Sequence, residues 1–214
     1  GAEGAAPSSG ARARGYSEVR GDPQGFCMQP PCGRLLKSHS RPLLLHWMRS
    51  ADDEYYMSEA IRQAETAAEK GEVPVGAVAV HEGRIVGRAG NQRELLKDPT
   101  AHAEMLVLTQ AAAELGSWRL EGGTIYVTLE PCAMCAGAMV LGRVSRLVYG
   151  ADDPKAGACG SVVNLVDHPK LNHRVPTEKG LMAERCGEIL RKFFAERRGK
   201  VEEKTDESFG RRGV

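Results

Sequence analysis

The stretch TIYVTLEPCAMCAGAMVLGRVSRLVYG, residues 124–150, predicts a strand, a helix and a second strand in succession. Its first part shows the alternating pattern of a strand and is rich in β-branched and aromatic side chains. Its middle is small and apolar and ends at Gly142, and its last part is a short apolar run. Strands that are joined through a helix run parallel, with a right-handed crossover. The stretch therefore predicts a sheet that is covered by helices.

The segments on either side extend this pattern. Ahead of it we expect a helix, a hairpin of two strands about Glu82-Gly83, a polar loop and a second helix, over residues 52–70, 73–81, 84–88, 89–99 and 101–115. Behind it, residues 162–166 are a candidate strand and residues 177–198 a final helix. The predicted fold class is α/β, with a single central mixed β-sheet of about five strands flanked by helices.

Composition excludes several classes of protein. The chain has 214 residues, 42% of them hydrophobic, which is enough for one domain with a buried core. No apolar run approaches the roughly 18 residues of a membrane span. Six cysteines at uneven spacings are too few for a secreted disulfide scaffold. With 29 basic and 28 acidic residues, the net charge of +1 does not by itself indicate a nucleic-acid partner.

The two ends of the chain differ from the patterned middle. Residues 1–47 are rich in Gly, Pro, Ser and Arg, so we expect a disordered or loosely attached N-terminal extension. A transit peptide is the alternative, and Met48 is a candidate native start. Residues 48–200 are the predicted domain, and residues 201–214 a polar C-terminal tail without fixed structure. The expected location is the cytoplasm, or an organelle if the extension is a transit sequence.

The cysteines of the extension and of the middle are expected to differ in role. No further ligands lie near the two cysteines of the extension, which we expect to be free thiols: Cys27 and Cys32. Cys132 and Cys135 share one face of the predicted helix and lie in its first turn, where free amides and the helix dipole favour thiolates. Two thiolates in this arrangement suit zinc. A redox-active C-x-x-C pair is the alternative that these residues alone leave open.

His102 favours the metal over the redox pair. It lies at the start of another predicted helix and supplies a third ligand. A structural zinc site has four protein ligands, whereas a catalytic site has three and keeps one position for water. The other candidates, Cys159, His168 and His173, lie in loops without comparable placement. The ligand set therefore predicts a catalytic zinc ion that makes hydroxide available at neutral pH.

Two glutamates lie close to these ligands in the sequence. In a regular helix the side chains of His102 and Glu104 point about 200° apart, so we expect Glu104 to reach over the open coordination position instead of binding the metal. A carboxylate there can take a proton from water and pass it to a ring nitrogen. Alone, Glu104 would read as an exposed residue at a helix start. We expect Glu130 to be structural, holding the turn before Pro131.

These residues resemble the zinc-dependent deaminases of nucleobases and nucleosides. The pattern H-x-E…P-C-x-x-C of that superfamily is present in residues 102–104 and 131–135. The segments VPVGA (73–77), DPTAHAE (98–104), YVTLEPC (126–132) and NHR (172–174) are similar to the bacterial tRNA-specific adenosine deaminases. The resemblance implies a cytidine-deaminase-like three-layer fold. It also implies hydrolytic deamination of adenosine to inosine at the wobble, or first anticodon, position of tRNA.

The resemblance further implies roles for individual residues. His102, Cys132 and Cys135 would bind one Zn²⁺ per subunit, the zinc-activated hydroxide would attack C6 of adenine, and Glu104 would shuttle protons to N1 and to the leaving ammonia. The implied substrate-binding residues are Asn91, Val73, Pro74, Asp153, Phe194, Arg197 and Arg198. A tRNA anticodon stem-loop and a second copy of the chain are the implied partners, with the helix over 132–141 near the homodimer contact. No membrane and no nucleotide cofactor are expected.

Each substrate-binding residue has a simpler alternative. Asn91 would donate to a purine ring nitrogen, or is a turn asparagine. Val73 and Pro74 would stack on the base, or begin a strand. Asp153 would accept a hydrogen bond from the 2′-OH of the target ribose, or belongs to an Asp-Pro turn. The last helix, with two phenylalanines among cations, suits RNA, or is an amphipathic helix with aromatic core residues; we expect Phe193 to pack inside.

Two other functions share these motifs. One is a zinc deaminase of a free nucleobase such as guanine or cytosine, which needs no RNA contacts from the last helix or from the loop of Asp153. The other is a non-catalytic zinc module or partner subunit. Glu104 argues against the second, because a scaffold needs no acid beside the metal.

Overall fold

The computed structural model describes the backbone of residues 44–209 and the side chains of residues 52–199. Residues 1–43 and 210–214, with most of the predicted extension and its two cysteines, lie outside the described residues. The described part contains ten elements: α1 (Leu44–Glu69), β1 (Gly76–His81), β2 (Arg84–Gly90), α2 (Arg93–Leu96), α3 (Ala103–Leu115), β3 (Gly123–Leu129), α4 (Ala133–Leu141), β4 (Arg146–Ala151), β5 (Thr177–Lys179) and α5 (Ala183–Phe209). Its helices are all too short or too polar to cross a membrane.

The strands form one mixed sheet in the order β2-β1-β3-β4-β5. β1 is antiparallel to both of its neighbours, β2 and β3. β3, β4 and β5 are parallel to one another. β2 and β3 therefore point the same way, although β1 lies between them. As a result, the C-terminal ends of β2 and β3 lie at the same end of the sheet. The N-termini of α3 and α4, which come after these strands in the chain, lie there too.

Alternation along the central strands gives the sheet two buried faces. Ala77 and Ala79 of β1 pack with residues of α3 and α4, whereas Val78 and Val80 pack with residues of α1 and α5. A side chain at Gly76 would overlap the backbone of α1, so this glycine allows α1 to lie directly on the start of β1. The predicted α/β fold, with a mixed five-stranded sheet between two helical layers, is confirmed.

The two edge strands of the sheet are both protected. The backbone N–H of Arg88 in β2 donates a hydrogen bond to Oε1 of Gln110, a residue of α3, at 2.9 Å. β5 has only three residues, with the sequence Thr-Glu-Lys, and the last two are exposed. One edge is thus bonded to a side chain and the other is short and charged.

Two predictions about the C-terminal third are wrong. Residues 162–166 do not form a strand but lie in the long loop after β4, where Val162 and Val163 are exposed. Thr177–Lys179 does not start the last helix but forms β5, which pairs with β4. The helix begins only at Ala183, after Gly180 turns the chain with a φ of 89°.

Other boundaries shift by a few residues or more. α1 begins at Leu44, well before the predicted residue 52, and α5 continues to Phe209, past the predicted end at Arg198. The predicted polar loop over 89–99 contains the single turn of α2. β1 begins three residues later than predicted, and the remaining helices and strands lie within about two residues of their predicted bounds.

Candidate functional site

The candidate ligands lie at two helix N-termini on one edge of the sheet. His102 is the N-cap of α3 and Cys132 is the N-cap of α4, each with an extended backbone. Cys135 lies in the first turn of α4. Because β2 and β3 have their C-terminal ends at the same end of the sheet, the topology brings the histidine close to the two cysteines.

The three side chains form a compact triangle of donor atoms. His102 Nδ1 lies 3.7 Å from Cys132 Sγ and 3.6 Å from Cys135 Sγ, and the two sulfurs are 3.7 Å apart. A tetrahedral zinc ion with Zn–S distances of about 2.3 Å separates its sulfurs by about 3.8 Å, so this donor set fits an ion of that size. Within residues 52–199, no fourth His, Cys or carboxylate joins the group.

The two thiols of the triangle differ strongly in acidity. Hydrogen bonds that Cys132 shares with Cys135 and His102 lower the pKa of the Cys132 thiol. The same bond, together with burial, holds the proton on Cys135 and raises the pKa of that thiol. The bond to Cys132 likewise raises the pKa of His102. Because metal binding requires deprotonated sulfur, such a group exchanges its protons for a cation.

Glu104 is buried beside this triangle. The residue is 3% exposed, and its Oε2 has no hydrogen-bond partner among the described residues. Burial raises the pKa of the Glu104 carboxyl, while the nearby His102 acts in the opposite direction. The expected 200° separation does not apply, because His102 is an N-cap with an extended backbone and not a helical residue. An unpartnered buried carboxylate oxygen is costly for the fold and is typical of functional sites.

Asn91 connects the end of β2 to the start of α3. Its backbone N–H donates to the carbonyl of Val75 at 3.0 Å, and its Oδ1 accepts a hydrogen bond from the N–H of Ala103 at 2.9 Å. These bonds orient the amide so that its NH₂ group is left for other partners. Val73 and Pro74 precede β1 in the same region, half-buried and buried respectively. The alternative that these two residues begin the strand is wrong, because β1 starts at Gly76.

Glu130 holds the loop that follows β4 against the end of β3. Its carboxylate accepts hydrogen bonds from the N–H groups of Asp153, Cys159 and Ser161 at 3.0, 2.9 and 3.0 Å, and from the Ser161 hydroxyl. Burial by itself raises the pKa of Glu130, but these bonds outweigh it and the pKa is lowered. A Cβ at Gly157 would overlap the Glu130 carboxylate. Glu130 is therefore structural, although it holds this loop and not only its own turn.

Asp153 lies in this loop, close to the candidate ligands. A β-bridge between Cys132 and Gly157 keeps the loop beside the triangle. The Oδ1 atom of Asp153 accepts hydrogen bonds from the N–H groups of Lys155 and Ala156 at 2.9 and 3.2 Å. The turn predicted as the alternative is therefore present, and one of the two carboxylate oxygens is used within it.

The last helix presents one phenylalanine to the core and one to solvent. Phe193 is buried and Phe194 is 43% exposed, with ring centroids 5.5 Å apart. The Arg197 guanidinium lies 4.9 Å above the Phe193 ring and donates to the carbonyl of Gly71 at 2.6 Å. Arg198 is exposed. Of the two arginines named from the sequence, Arg197 thus also holds α5 against the end of α1.

Sequence reasoning missed several groups that hold the site in place. Cys159 and Ser161 act mainly through their backbone N–H groups, which no residue type reveals. Glu72 accepts a hydrogen bond from the N–H of Leu95 at 2.8 Å. Its position directly before the apolar run VPVGAVAV indicates a carboxylate that needs a polar partner if it is buried, but the sequence does not show which partner.

The comparison with protein families identifies the family to which this chain belongs. The model of the MafB19-like deaminase family matches residues 51–198. The chain belongs to this family. The deaminase is 54% identical over 148 residues to the tRNA-specific adenosine deaminase of Bacillus subtilis (strain 168), covering 69% of this chain and 92% of that protein.

Solved structures resemble the deaminase as well. One comes from biochemical and structural studies of A-to-I editing by tRNA:A34 deaminases at the wobble position of transfer RNA. It is 46% identical with a TM-score of 0.62, over 64% of this chain and 99% of that one. The guanine deaminase from Nitrosomonas europaea is 20% identical with a TM-score of 0.57, over 76% of this chain and 100% of that one. At that identity the likeness is one of fold alone.

Proposed function

We propose that this deaminase hydrolyses adenosine to inosine at the first anticodon position of tRNA. The observation that carries the proposal is the triangle of His102, Cys132 and Cys135 beside the buried, unpartnered oxygen of Glu104. The choice of tRNA as substrate is supported by the 54% identity to a tRNA-specific adenosine deaminase. The cytoplasm is the location that this substrate favours.

His102, Cys132 and Cys135 would hold one zinc ion per subunit. One imidazole and two thiolates, with donor atoms 3.6 to 3.7 Å apart, suit tetrahedral zinc and leave room for a non-protein ligand. When bound in such a site, zinc activates water at neutral pH. The pair Cys132 and Cys135 is then a ligand pair and not a redox pair.

Glu104 moves protons through its Oε2 atom. Burial raises the pKa of its carboxyl, which favours the uptake of a proton from water. Water adds to C6 of the adenine while Glu104 transfers a proton from that water to N1. Glu104 then carries the remaining hydroxyl proton to the amino group, the C6–N bond breaks, and ammonia leaves inosine behind. One water is consumed and one ammonia released, so the protons balance.

Three residues would hold the base. The NH₂ group of Asn91 would donate to a purine ring nitrogen, since its Oδ1 is already bonded to Ala103. Val73 and Pro74 would supply the apolar wall against which the base stacks. The carbonyl of Val75, the residue after Pro74, accepts the bond from the N–H of Asn91, and this proximity to the amide supports the assignment.

The remaining contacts would be to the RNA around the target base. The second carboxylate oxygen of Asp153 would accept a hydrogen bond from the ribose 2′-OH, which distinguishes RNA from DNA. The exposed ring of Phe194 would stack on a neighbouring base, with Arg198 and Arg197 near the phosphates. Because Arg197 also bonds to Gly71, we expect Arg198 to contribute more to RNA affinity.

We also propose a homodimer through the face of α3 and α4. This face carries two exposed large apolar side chains, Trp118 at 63% and Leu141 at 70%. They border a groove of about 450 Å³ that is lined by Met105 and Leu108 of α3. An apolar surface of this kind on a soluble domain typically binds a partner.

The test is inosine formation on a panel of anticodon stem-loops, with a zinc count on the same sample. We expect conversion of a stem-loop with adenosine at the first anticodon position, and about one zinc per chain. Glu104→Gln should keep the zinc and lose about 10²- to 10⁴-fold in rate. Deamination of free guanine or cytosine without conversion of any stem-loop would overturn the proposal in favour of a free-nucleobase enzyme.

A further inference from the structure

Glu72 is a buried carboxylate that the proposed reaction does not use. It lies between α1 and β1, directly before Val73, and is 2% exposed. Its Oε1 accepts a hydrogen bond from the N–H of Leu95 in α2, 23 residues further along the chain, at 2.8 Å. A glutamate side chain is rarely buried this deeply unless its carboxylate is hydrogen-bonded or paired.

The hydrogen bond to Glu72 replaces the N-terminal capping bond that α2 lacks. The N-cap of α2, Gln92, makes no side-chain capping bond, and none of the helix residues is buried. The N–H that Glu72 binds is the third in the helix, the one that an N-cap side chain ordinarily satisfies. Within the described residues, no other hydrogen bond joins residues 93–97 to a distant part of the chain. Glu72 is therefore the long-range cap of α2.

α2 lies at the rim of the candidate site, where its first residue, Arg93, is close enough to His102 to act on the charge of that imidazole. It occupies the excursion between Asn91 and His102, which is closed at its base by a hydrogen bond from the N–H of Gln92 to the carbonyl of Ala101 at 3.0 Å. Leu95 and Leu96 are 63% and 52% exposed. An apolar pair on a turn that leaves directly from the site is suited to contact the nucleotides next to the target base.

Glu72 also lies where the last helix is attached. The carbonyl of the preceding residue, Gly71, accepts the bond from Arg197 in α5. The following residue, Val73, belongs to the proposed wall for the base. The dipeptide Gly71-Glu72 thus joins α2, the wall and the last helix.

We propose that Glu72 is a positioning residue, which fixes α2 at the rim so that α2 is ready to contact the RNA beside the target base. The inference rests on the proposed function. Glu72 touches no substrate, and it acts through the backbone of Leu95. Loss of the bond leaves α2 free to move. Binding of the RNA must then order α2, which costs binding free energy. The effect therefore falls on substrate affinity and not on the chemical step.

The first test measures the bond without any reaction. Amide hydrogen exchange of the full chain is followed at Leu95 in the wild type, in Glu72→Ala and in Glu72→Gln. We expect exchange at Leu95 to rise at least about tenfold in Glu72→Ala, as for the loss of one hydrogen bond to a charged group. Glu72→Gln keeps an oxygen acceptor and should restore most of the protection. Unchanged exchange in Glu72→Ala would overturn the inference even if the wild type deaminates tRNA.

The second test separates positioning from stability. With an anticodon stem-loop as substrate, Glu72→Ala should raise KM about tenfold and leave kcat within about twofold, and Glu72→Gln should recover most of the affinity. The control is Asp53→Asn, which perturbs another carboxylate, bonded to Arg146 at the opposite end of the sheet. Asp53→Asn should lower Tm without changing KM. Equal changes of KM in Glu72→Ala and Asp53→Asn would show a merely structural role. A wild type without activity would refute the proposed function, while the exchange result would still stand.

Discussion

The described cysteines fall into two classes by acidity. Hydrogen bonds shared with Cys135 and His102 lower the pKa of Cys132. Burial raises the pKa of Cys159 to about 12 and that of Cys186 to about 11. Since the thiolate is the reactive form, only Cys132 among these three is prepared to react or to bind a metal at neutral pH.

Removal of the metal should therefore make Cys132 more reactive than Cys159 and Cys186. After treatment with a chelator, we expect iodoacetamide at pH 7 to alkylate Cys132 at least about a hundred times faster than Cys159 or Cys186. Zinc added before the reagent should protect Cys132, because its sulfur is then occupied. Mass spectrometry of the three peptides measures the rates. Equal rates, or no protection by zinc, would contradict the assignment of Cys132 as a ligand.

The two arginines near the end of α5 should respond differently to substitution. Arg197→Ala removes the bond to Gly71 and the contact with Phe193, so Tm should fall by about 2 to 4 °C. Arg198→Ala should leave Tm unchanged, because this side chain is exposed and makes no bond in the described structure. It should instead weaken binding of the stem-loop and reduce the salt dependence by about one counterion. Thermal melts and salt titrations distinguish the two; loss of Tm in Arg198→Ala would contradict this division.

At the scale of elements, one carboxylate, that of Glu130, accepts several of the hydrogen bonds that hold the loop after β4. In the folded protein the pKa of Glu130 lies below the value near 4.5 of an ordinary glutamate, chiefly because the bonds from Ser161, Asp153 and Cys159 outweigh burial. The unfolded chain therefore binds more protons than the folded one in this range. The stability that these bonds contribute is fully present above pH 4.5 and is lost as the pH falls through the folded pKa.

Glu130→Gln tests this dependence. A glutamine offers only one oxygen, so some donors of the loop lose their acceptor, and the free energy of unfolding at pH 7 should fall by about 2 to 3 kcal/mol. The difference from the wild type should shrink as the pH falls below 4.5. Urea unfolding followed by circular dichroism at several pH values measures it. Glu121→Gln, at an exposed position, is the control, and the same pH dependence in both variants would refute the role of Glu130.

The elements that were predicted correctly carry their own signals. α3 and α4 have apolar faces and end at Gly116 and Gly142, and β1 and β3 are apolar runs that any sheet would bury. β5 has no such signal, because Thr-Glu-Lys gains its strand geometry only from the free edge of β4. The run Val162-Val163 has the strand composition but no free edge to pair with, and it lies exposed in a loop.

The candidate site likewise contains residues that the sequence reveals and residues that it does not. His102, Cys132 and Cys135 could be identified because two short motifs place them at helix starts, and their meeting follows from the topology. The residues that hold them could not be identified from motifs. The capping of α2 by Glu72 and the bond of Arg197 to Gly71 join segments 23 and 126 residues apart, and such pairs depend on the completed fold.

At the scale of the whole molecule, association through α3 and α4 can be tested directly. Leu141→Glu places a charge on the proposed dimer face, and we expect sedimentation equilibrium to show a monomer where the wild type is a dimer. Tyr55→Glu is the control, because Tyr55 is 53% exposed but lies on α1, on the other side of the sheet. A dimer that survives Leu141→Glu, or a monomeric wild type, would refute the proposed interface.

The protected margins of the sheet bear on how copies of the molecule can meet. The Arg88 amide is taken up by Gln110 on one margin, and the other margin is three polar residues long. The bonded amide on one margin and the shortness of the other both hinder a neighbour from building a continuous ribbon. Crowded or heated solutions of the native protein should consequently resist fibre growth, and any aggregate should first require that β2 come away from α3.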